Sequence, residues 1–484
     1  MAENAPQIAD FIVRSALIVD GTGTPGFMGD VAVTDDRIIA VGDLTETKCG
    51  VETDGAGKVL APGFIDVHTH DDRAVLSNPK LECKVSQGVT TVITGNCGIS
   101  LAPLNTEEIP PPLDLIAEKP DHLFSTFSQY LGALDLDPPA VNTAAQIGHS
   151  TLRIGAMPNL HRPASQSEID TMRKELERSL ESGAIGFSTG LYYQPASSAS
   201  TEEVIALAKT LHDAKSIHTT HMRNEGNSIE LSLKETFRIG LEAEIPVIIS
   251  HHKIGGKANF GRSTETLALI DQARKQQPIG FDVYPYVASS TILGVKGLDS
   301  ASRIIVTWSK KRPDMAGRDL SEISQELNCS AEEAVEILSP AGAIYFMMHE
   351  DDVRRILSHP AAMIGSDGLP HDLHPHPRLW GTFPRVLGHY SRETNLLSLE
   401  DAVRRMTSLP ASQFGLQNRG KICPGAYADL VLFDPQTIID QATFDKPTEK
   451  ADGIELVMVN GRPTWNNNGS TGARPGKVIR RGDT

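Results

Sequence analysis

The feature that most narrows what this chain can fold into is a recurrence. Short apolar runs appear at residues 64–67, 89–96, 144–148, 184–187, 216–220, 246–250, 279–283 and 362–366. Each has the length and composition of a buried strand. Each of them leads to a polar residue suited to chemistry: His68, Cys97, His149, Ser188, His221, His251, Tyr284 and Asp367 in turn. Between several of them the period changes from strand to helix. Ser165-x-x-Glu168 reads as a capping box followed by Ile169, Met172, Leu176 and Leu180 on one face, with Gly183 as the stop. Ser200-x-x-Glu203 opens a second helix with Val204, Leu207 and Leu211. Eight strands alternating with helices predict an α/β fold, a (β/α)8 TIM-type barrel, whose reacting groups gather at the carboxyl ends of the strands.

The first run ends on His68-Thr69-His70. Residues i and i+2 of a strand share a face, so the two imidazoles lie side by side, and imidazole is a common metal ligand. Taken alone, His-x-His fits a pair of packed histidines, and Cys97 fits a small buried hydrophobe. Six ligand-type residues at matching strand ends change that reading. His68, His70, Cys97, His221, His251 and Asp367 are what one metal-centred pocket requires. Asp367 can also cap a helix. His218 and His252 are out of phase with the strand ends and read as structural, while His149 and Ser188 are expected to line the pocket without ligating. The 371–376 tract is broken by Leu373 and Pro375 and reads as loop, with His371 a supporting residue.

The Gly63-Phe64-Ile65-Asp66-x-His68-x-His70 segment, the single histidines ending the fifth and sixth strands, and the aspartate ending the eighth resemble the amidohydrolase superfamily. Gly95-Asn96-Cys97-Gly98, Gly148-His149-Ser150, the 221–226 and 250–253 segments and Gly365-Ser366-Asp367-Gly368 look like those of the D-aminoacylases, the N-acyl-D-amino-acid deacylases. The resemblance runs from about Phe11 to about Arg474. Hydantoinases and dihydroorotases of the superfamily carry a metal-bridging lysine where these enzymes use a cysteine.

The resemblance implies zinc-dependent hydrolysis of N-acyl-D-amino acids to a carboxylate and a free D-amino acid. Cys97, His221 and His251 would be the tight zinc site, since a thiolate with two imidazoles suits that ion and leaves one position open. His68, His70 and Asp367 would form a weaker second site, with one zinc essential. Asp367 would be the general base for a metal-activated water and then the acid for the leaving nitrogen. Lys253, Tyr284, Ser290 and Arg378 would hold the substrate α-carboxylate. The D preference comes from the family, as does the range of side chains from apolar to acidic. Two alternatives stand beside this reading: a cyclic-amide hydrolase on the same barrel, and a non-catalytic barrel scaffold.

The remaining chain sets the frame. Its 484 residues suffice for a barrel plus a smaller domain. Short strands at 11–13, 15–19, 29–33 and 37–41 have counterparts at 420–422, 428–433 and 454–459. Residues 1–61 and 416–484 are therefore expected to build one small β-sandwich domain from both termini, with the barrel at 62–415 and an inserted lid at about 288–345. A net charge of -16 argues against a nucleic-acid partner. Five scattered cysteines without a C-x-x-C pair suit a reducing compartment. With neither a secretory h-region nor a membrane-length apolar run, a cytoplasmic protein without a membrane partner is expected.

Overall fold

The computed structural model describes residues 8–483, and each of the eight apolar runs contains a strand. Ile147–Gly148, Gly186–Gly190, Ile217–His221, Val247–Ile249, Ile279–Val283 and Ala362–Ile364 pair in that order as one parallel sheet. Phe64–Asp66, Val89–Thr94 and Asn142–Ala145 form a second, also parallel. The third apolar run is shared between the two sheets, which part at Gln146. At the other end, the chain beyond the first strand meets the chain beyond the eighth. Asp367 N–H donates to His68 O at 2.7 Å, and His70 N–H donates to Gly368 O at 3.3 Å. The strands follow barrel order, but their ladders do not close into one continuous sheet.

Local chemistry explains the helices. Gln166–Glu181 starts at the expected box: Ser165 and Glu168 exchange side-chain and backbone hydrogen bonds, and Arg162 grips Glu168 at 2.7 and 2.8 Å. Met172, Leu176 and Leu180 are buried, each contributing about 1.5–3 kcal/mol. Thr201–Ala208 has only half a box. The Ser200 hydroxyl accepts from Glu203 N–H, while the Glu203 carboxylate turns inward to Arg153 and His149.

The two ends of the chain share one nine-stranded sheet. Ala9–Ile18 is one strand where the sequence reads as two, because a bulge at Ser15, with φ +54°, shifts the alternation between Val13 and Ala16. Cys49–Asp54 joins as a strand with no apolar signal, and residues 420–422 do not form one. Val59–Pro62 pairs with Leu430–Phe433, so the chain enters the barrel from a strand held by its own far end.

Between the seventh and eighth barrel strands lies an antiparallel sheet of Ala288–Ile292, Ile304–Ser309 and Ala341–Phe346, backed by helices Leu320–Leu327 and Ala331–Leu338. Val306, Ile323, Val335 and Leu338 give it a core of its own. Among the described residues no helix is long and apolar enough to cross a membrane.

Candidate metal centre

Strand ends deliver the chemistry. His68 and His70 follow Phe64–Asp66, Cys97 follows Val89–Thr94, His221 closes Ile217–His221, His251 follows Val247–Ile249 and Asp367 follows Ala362–Ile364. All six are buried. Three of them bend the chain sharply: φ is +51° at Cys97, +36° at His251 and +50° at Asp367. Side chains other than glycine's are strained there, and such strain persists where surrounding structure imposes it, most often at functional sites. The Cys97 turn is tight enough that a Cβ on Gly98, itself at φ +76°, would meet Gly190 N at 2.6 Å.

The ligand atoms face one another. Cys97 Sγ lies 3.3 Å from His68 Nε2, 3.4 Å from His251 Nε2 and 3.7 Å from His221 Nδ1. Asp367 Oδ1 lies 3.5 Å from His68 Nε2 and 3.3 Å from His70 Nε2. A tetrahedral zinc with Zn–S near 2.3 Å and Zn–N near 2.0–2.1 Å keeps its sulfur and nitrogen ligands about 3.6 Å apart. The donor set therefore fits zinc in both type and spacing. The sets that converge are Cys97 with His221 and His251, His68 with His251 and Asp367, and His68 with His70 and Cys97. His251 and Cys97 thus reach toward both halves of the cluster, where the sequence reading kept two separate trios.

Electrostatics agree with a cation-seeking cluster. Burial alone would push the Cys97 thiol up, but the charges of His68 and His251 and hydrogen bonds to His221 and His251 bring it well below its ordinary range. Burial would also raise the Asp367 carboxyl, yet Arg378, His68 and His70 hold it well below the usual carboxylate value. Asp367 is thus a carboxylate, able to ligate or to accept a proton.

The four residues expected to hold a carboxylate are distributed unequally. Arg378 is fully buried, with Nη1 2.9 Å from Asp367 Oδ2 and Nη2 donating to Ser290 O at 3.1 Å. Its Nε, the Tyr284 hydroxyl and the Ser290 hydroxyl are all buried without a hydrogen-bond partner. The Arg378 guanidinium lies 4.6 Å from the centre of the Tyr284 ring. Lys253 is engaged already, with Nζ 2.7 Å from both carboxylate oxygens of Glu225. A cavity of about 840 Å3 opens onto the cluster, lined by His70, Cys97, His221, Lys253, Ser290 and Asp367 among others.

Two expectations are corrected. His149 and Ser188 do not line this cavity. His149 Nε2 lies 3.0 Å from Glu203 in a closed ion cluster, and Ser188 Oγ accepts from Gly98 N–H at 3.0 Å, pinning the Cys97 turn from behind. The His149 side chain turns outward to the Thr201–Ala208 helix and that of Ser188 to the turn after Val89–Thr94, which a run's last residue does not reveal. His218 and His252 bond Thr189 and Thr266, as structural residues do, and His371 accepts from Arg73 at 3.1 Å.

The sequence reading passed over Asp282 and Lys84. One Asp282 oxygen lies 3.4 Å from His68 Nδ1 and the other accepts from His251 N–H at 2.9 Å, so a single carboxylate orients two members of the cluster. Lys84 is fully buried, with Nζ 2.8 Å from Asp66, 2.9 Å from Ser366 Oγ and 3.2 Å from Asp71. Asp282 is visible only as the one acid in an apolar strand, and Lys84 gives no signal at all.

Parallel strands that gather a thiolate, imidazoles and a carboxylate at their carboxyl ends define a metal-dependent amidohydrolase. The sequence profile of the amidohydrolase family matches residues 52–260 and 331–465. A D-aminoacylase from Alcaligenes xylosoxydans xylosoxydans is 52% identical over 99% of each chain. An N-acyl-D-aspartate deacylase of the same organism is 48% identical over 99% of this chain and 97% of its own. Among solved structures, a D-aminoacylase studied for its binuclear metal centre superposes with a TM-score of 0.96 at 54% identity, covering 98% of this chain and all of that one. An N-acyl-D-glutamate deacylase from Bordetella bronchiseptica, solved with zinc and a phosphonate inhibitor that mimics the tetrahedral intermediate, superposes with a TM-score of 0.95 at 44% identity over 98% of this chain and all of its own. The chain belongs to the D-aminoacylase family of the amidohydrolase superfamily.

Proposed function

We propose that this chain hydrolyses N-acyl-D-amino acids, with Cys97, His221 and His251 holding the essential zinc and His68, His70 and Asp367 forming a weaker second site. The observation that carries the substrate class is the set of unpartnered buried donors at Tyr284, Ser290 and Arg378 beside the ligand cluster, of which Ser290 lines the cavity and the other two stand behind it. Buried donors left open are destabilising unless a ligand satisfies them, and an α-carboxylate accepts from all three. Zinc at this site supplies a Lewis acid that polarises the amide carbonyl and makes water nucleophilic near neutral pH.

The chain's own residues do the rest. Arg378, Tyr284 and Ser290 hold the carboxylate, with Lys253, paired to Glu225, on the cavity wall. With that end fixed, the scissile amide is oriented toward Asp367. An Asp367 carboxylate oxygen takes the proton of the attacking water and returns it to the departing nitrogen. Ser290 and Tyr345, both from the 288–345 segment, line the cavity, in keeping with a lid over the barrel mouth. In the same reading residues 62–415 are the (β/α)8 barrel domain, and 1–61 with 416–484 form its β-sandwich companion.

The test is zinc analysis of the purified protein followed by assays on N-acetyl-D-methionine, N-acetyl-D-aspartate, N-acetyl-D-glutamate, their L forms and a hydantoin. Hydrolysis of at least one D compound, not of its L form, and abolished by chelation is expected. Turnover of the hydantoin alone would replace this reading with a cyclic-amide hydrolase, and no turnover of any substrate would favour a scaffold.

A further inference from the structure

The cavity over the ligand cluster has two kinds of wall. Ile99, Pro112, Leu115 and Leu369, all buried residues, give it an apolar face, while Asn224, Asn227 and Lys257 give it a polar one. The apolar four stand together at the ends of the first, second and eighth barrel strands. Ile99 is two residues beyond Cys97, and Leu369 is two beyond Asp367. The His70 N–H donates to Gly368 O at 3.3 Å, which sets Leu369 beside the end of the first strand. Arg73 donates to His371 at 3.1 Å and lies 2.8 Å from Glu118, so the segment carrying Pro112 and Leu115 is held against the loop after Asp367. Leu113 and Ile116 anchor that segment in the main core, which makes it a fixed wall. The polar residues follow His221 and His251 instead, at the fifth and sixth strands.

An N-acyl amino acid has three ends to place. The α-carboxylate goes to Arg378, Tyr284 and Ser290. The amino-acid side chain branches from the carbon that bears this carboxylate, so it stays on that side, along the 290–300 segment that continues the cavity wall from Ser290. The acyl chain leaves from the carbonyl carbon, beyond the scissile bond. There the chain segments that carry Cys97 and Asp367 run directly into Ile99 and Leu369. An acetyl methyl covers little of such a wall. The cavity, at about 840 Å3, is of the size that encloses drug-sized ligands, and apolar surface gains by being covered with apolar atoms.

We infer that Ile99, Pro112, Leu115 and Leu369 form an acyl subsite, and that the enzyme prefers longer unbranched apolar acyl groups to acetyl. This rests on the reading of the chain as an N-acyl-D-amino-acid deacylase. Each methylene buried there strengthens binding by about fourfold. The contact is the same in the ground and transition states, so it lowers KM and raises kcat/KM while leaving kcat unchanged.

The experiment has two arms. In the first, the zinc-loaded wild-type protein is assayed on the N-acetyl, N-butyryl and N-hexanoyl derivatives of D-methionine, D-aspartate and D-glutamate, with no variant that must fold. For each amino acid accepted, kcat/KM is expected to rise by about fourfold per added methylene, through KM. A flat or falling series would overturn the inference. In the second, the same series is run on Leu115→Ser, which makes the wall polar, and on Leu115→Trp, which fills the subsite. The first should flatten the rise and the second should reverse it. A rise of wild-type slope in both variants would take these residues out of the acyl subsite. If the wild type turns over no N-acyl compound at all, the deacylase reading itself has failed, and that outcome is distinct from a flat series.

Discussion

Two clusters of buried charge adjoin at the Ser366–Asp367 step of the chain and are built on opposite plans. Below it, Lys84 is enclosed by oxygens of Asp66, Asp71 and Ser366, so its ammonium is matched within the protein. Above it, Cys97, His68, His221 and His251 turn ligand atoms toward one another at 3.3–3.7 Å. The first cluster carries its own cation, Lys84, and ties the first barrel strand to the eighth through Asp66 and Ser366. The second has a surplus of electron pairs and needs a cation from outside. Burial is common to both, so burial alone does not mark a site. The sign and surplus of the donors do.

If that contrast is right, the two clusters must fail differently. The largest effect is expected from Cys97→Ala, which removes the thiolate from the set. Bound zinc and activity should both be lost, with the unfolding midpoint of the metal-free protein little changed; retained stoichiometric zinc would break the comparison. Asp367→Asn, at the boundary of the two clusters, should keep its zinc and lower kcat by about 10²–10⁴-fold, the usual worth of a positioned acid–base group. A variant with wild-type kcat would remove Asp367 from the chemistry.

Lys84→Met should act on the fold instead. Removing one partner of a buried ion cluster costs about 3–5 kcal/mol. A lowered urea midpoint, with zinc affinity preserved in the folded fraction, sharpens the comparison, whereas lost zinc with unchanged stability would blur it. Smallest is Arg378→Met. A charge-assisted hydrogen bond is worth about 1.5–3 kcal/mol, so KM should rise by about 10–100-fold. Zinc content should hold, and an unchanged KM would take Arg378 out of the carboxylate site.

Much of the architecture was legible because strand and helix periods are local. The eight apolar runs and the Ser165 capping box needed only neighbours in sequence. So did the candidate ligands, since a polar residue just past a buried strand stands at its end. The merging of two short runs into Ala9–Ile18 was not legible, because a bulge at Ser15 breaks the alternation without interrupting the strand. Cys49–Asp54 was hidden for another reason: as a largely exposed partner of Ala9–Ile18 it carries no apolar pattern.

The supporting residues escaped for a reason of distance. Lys84 meets Ser366 across 282 positions, and Asp282 meets His68 across 214. Nothing near Lys84 distinguishes it from a solvated surface lysine. His149 and Ser188 were misjudged in the opposite direction, their place at strand ends suggesting a cavity that their side chains do not face.

The sequence by itself determined which residues stand at the strand ends and of what chemical type, because hydrophobic alternation places strands and a strand has only two ends. Only the tertiary structure decided how those residues are shared. It set His251 and Cys97 within reach of both halves of the cluster, and it left the donors at Tyr284, Ser290 and Arg378 open. Those outcomes depend on distances of a few ångströms between segments far apart in the chain, and residue spacing carries no record of them.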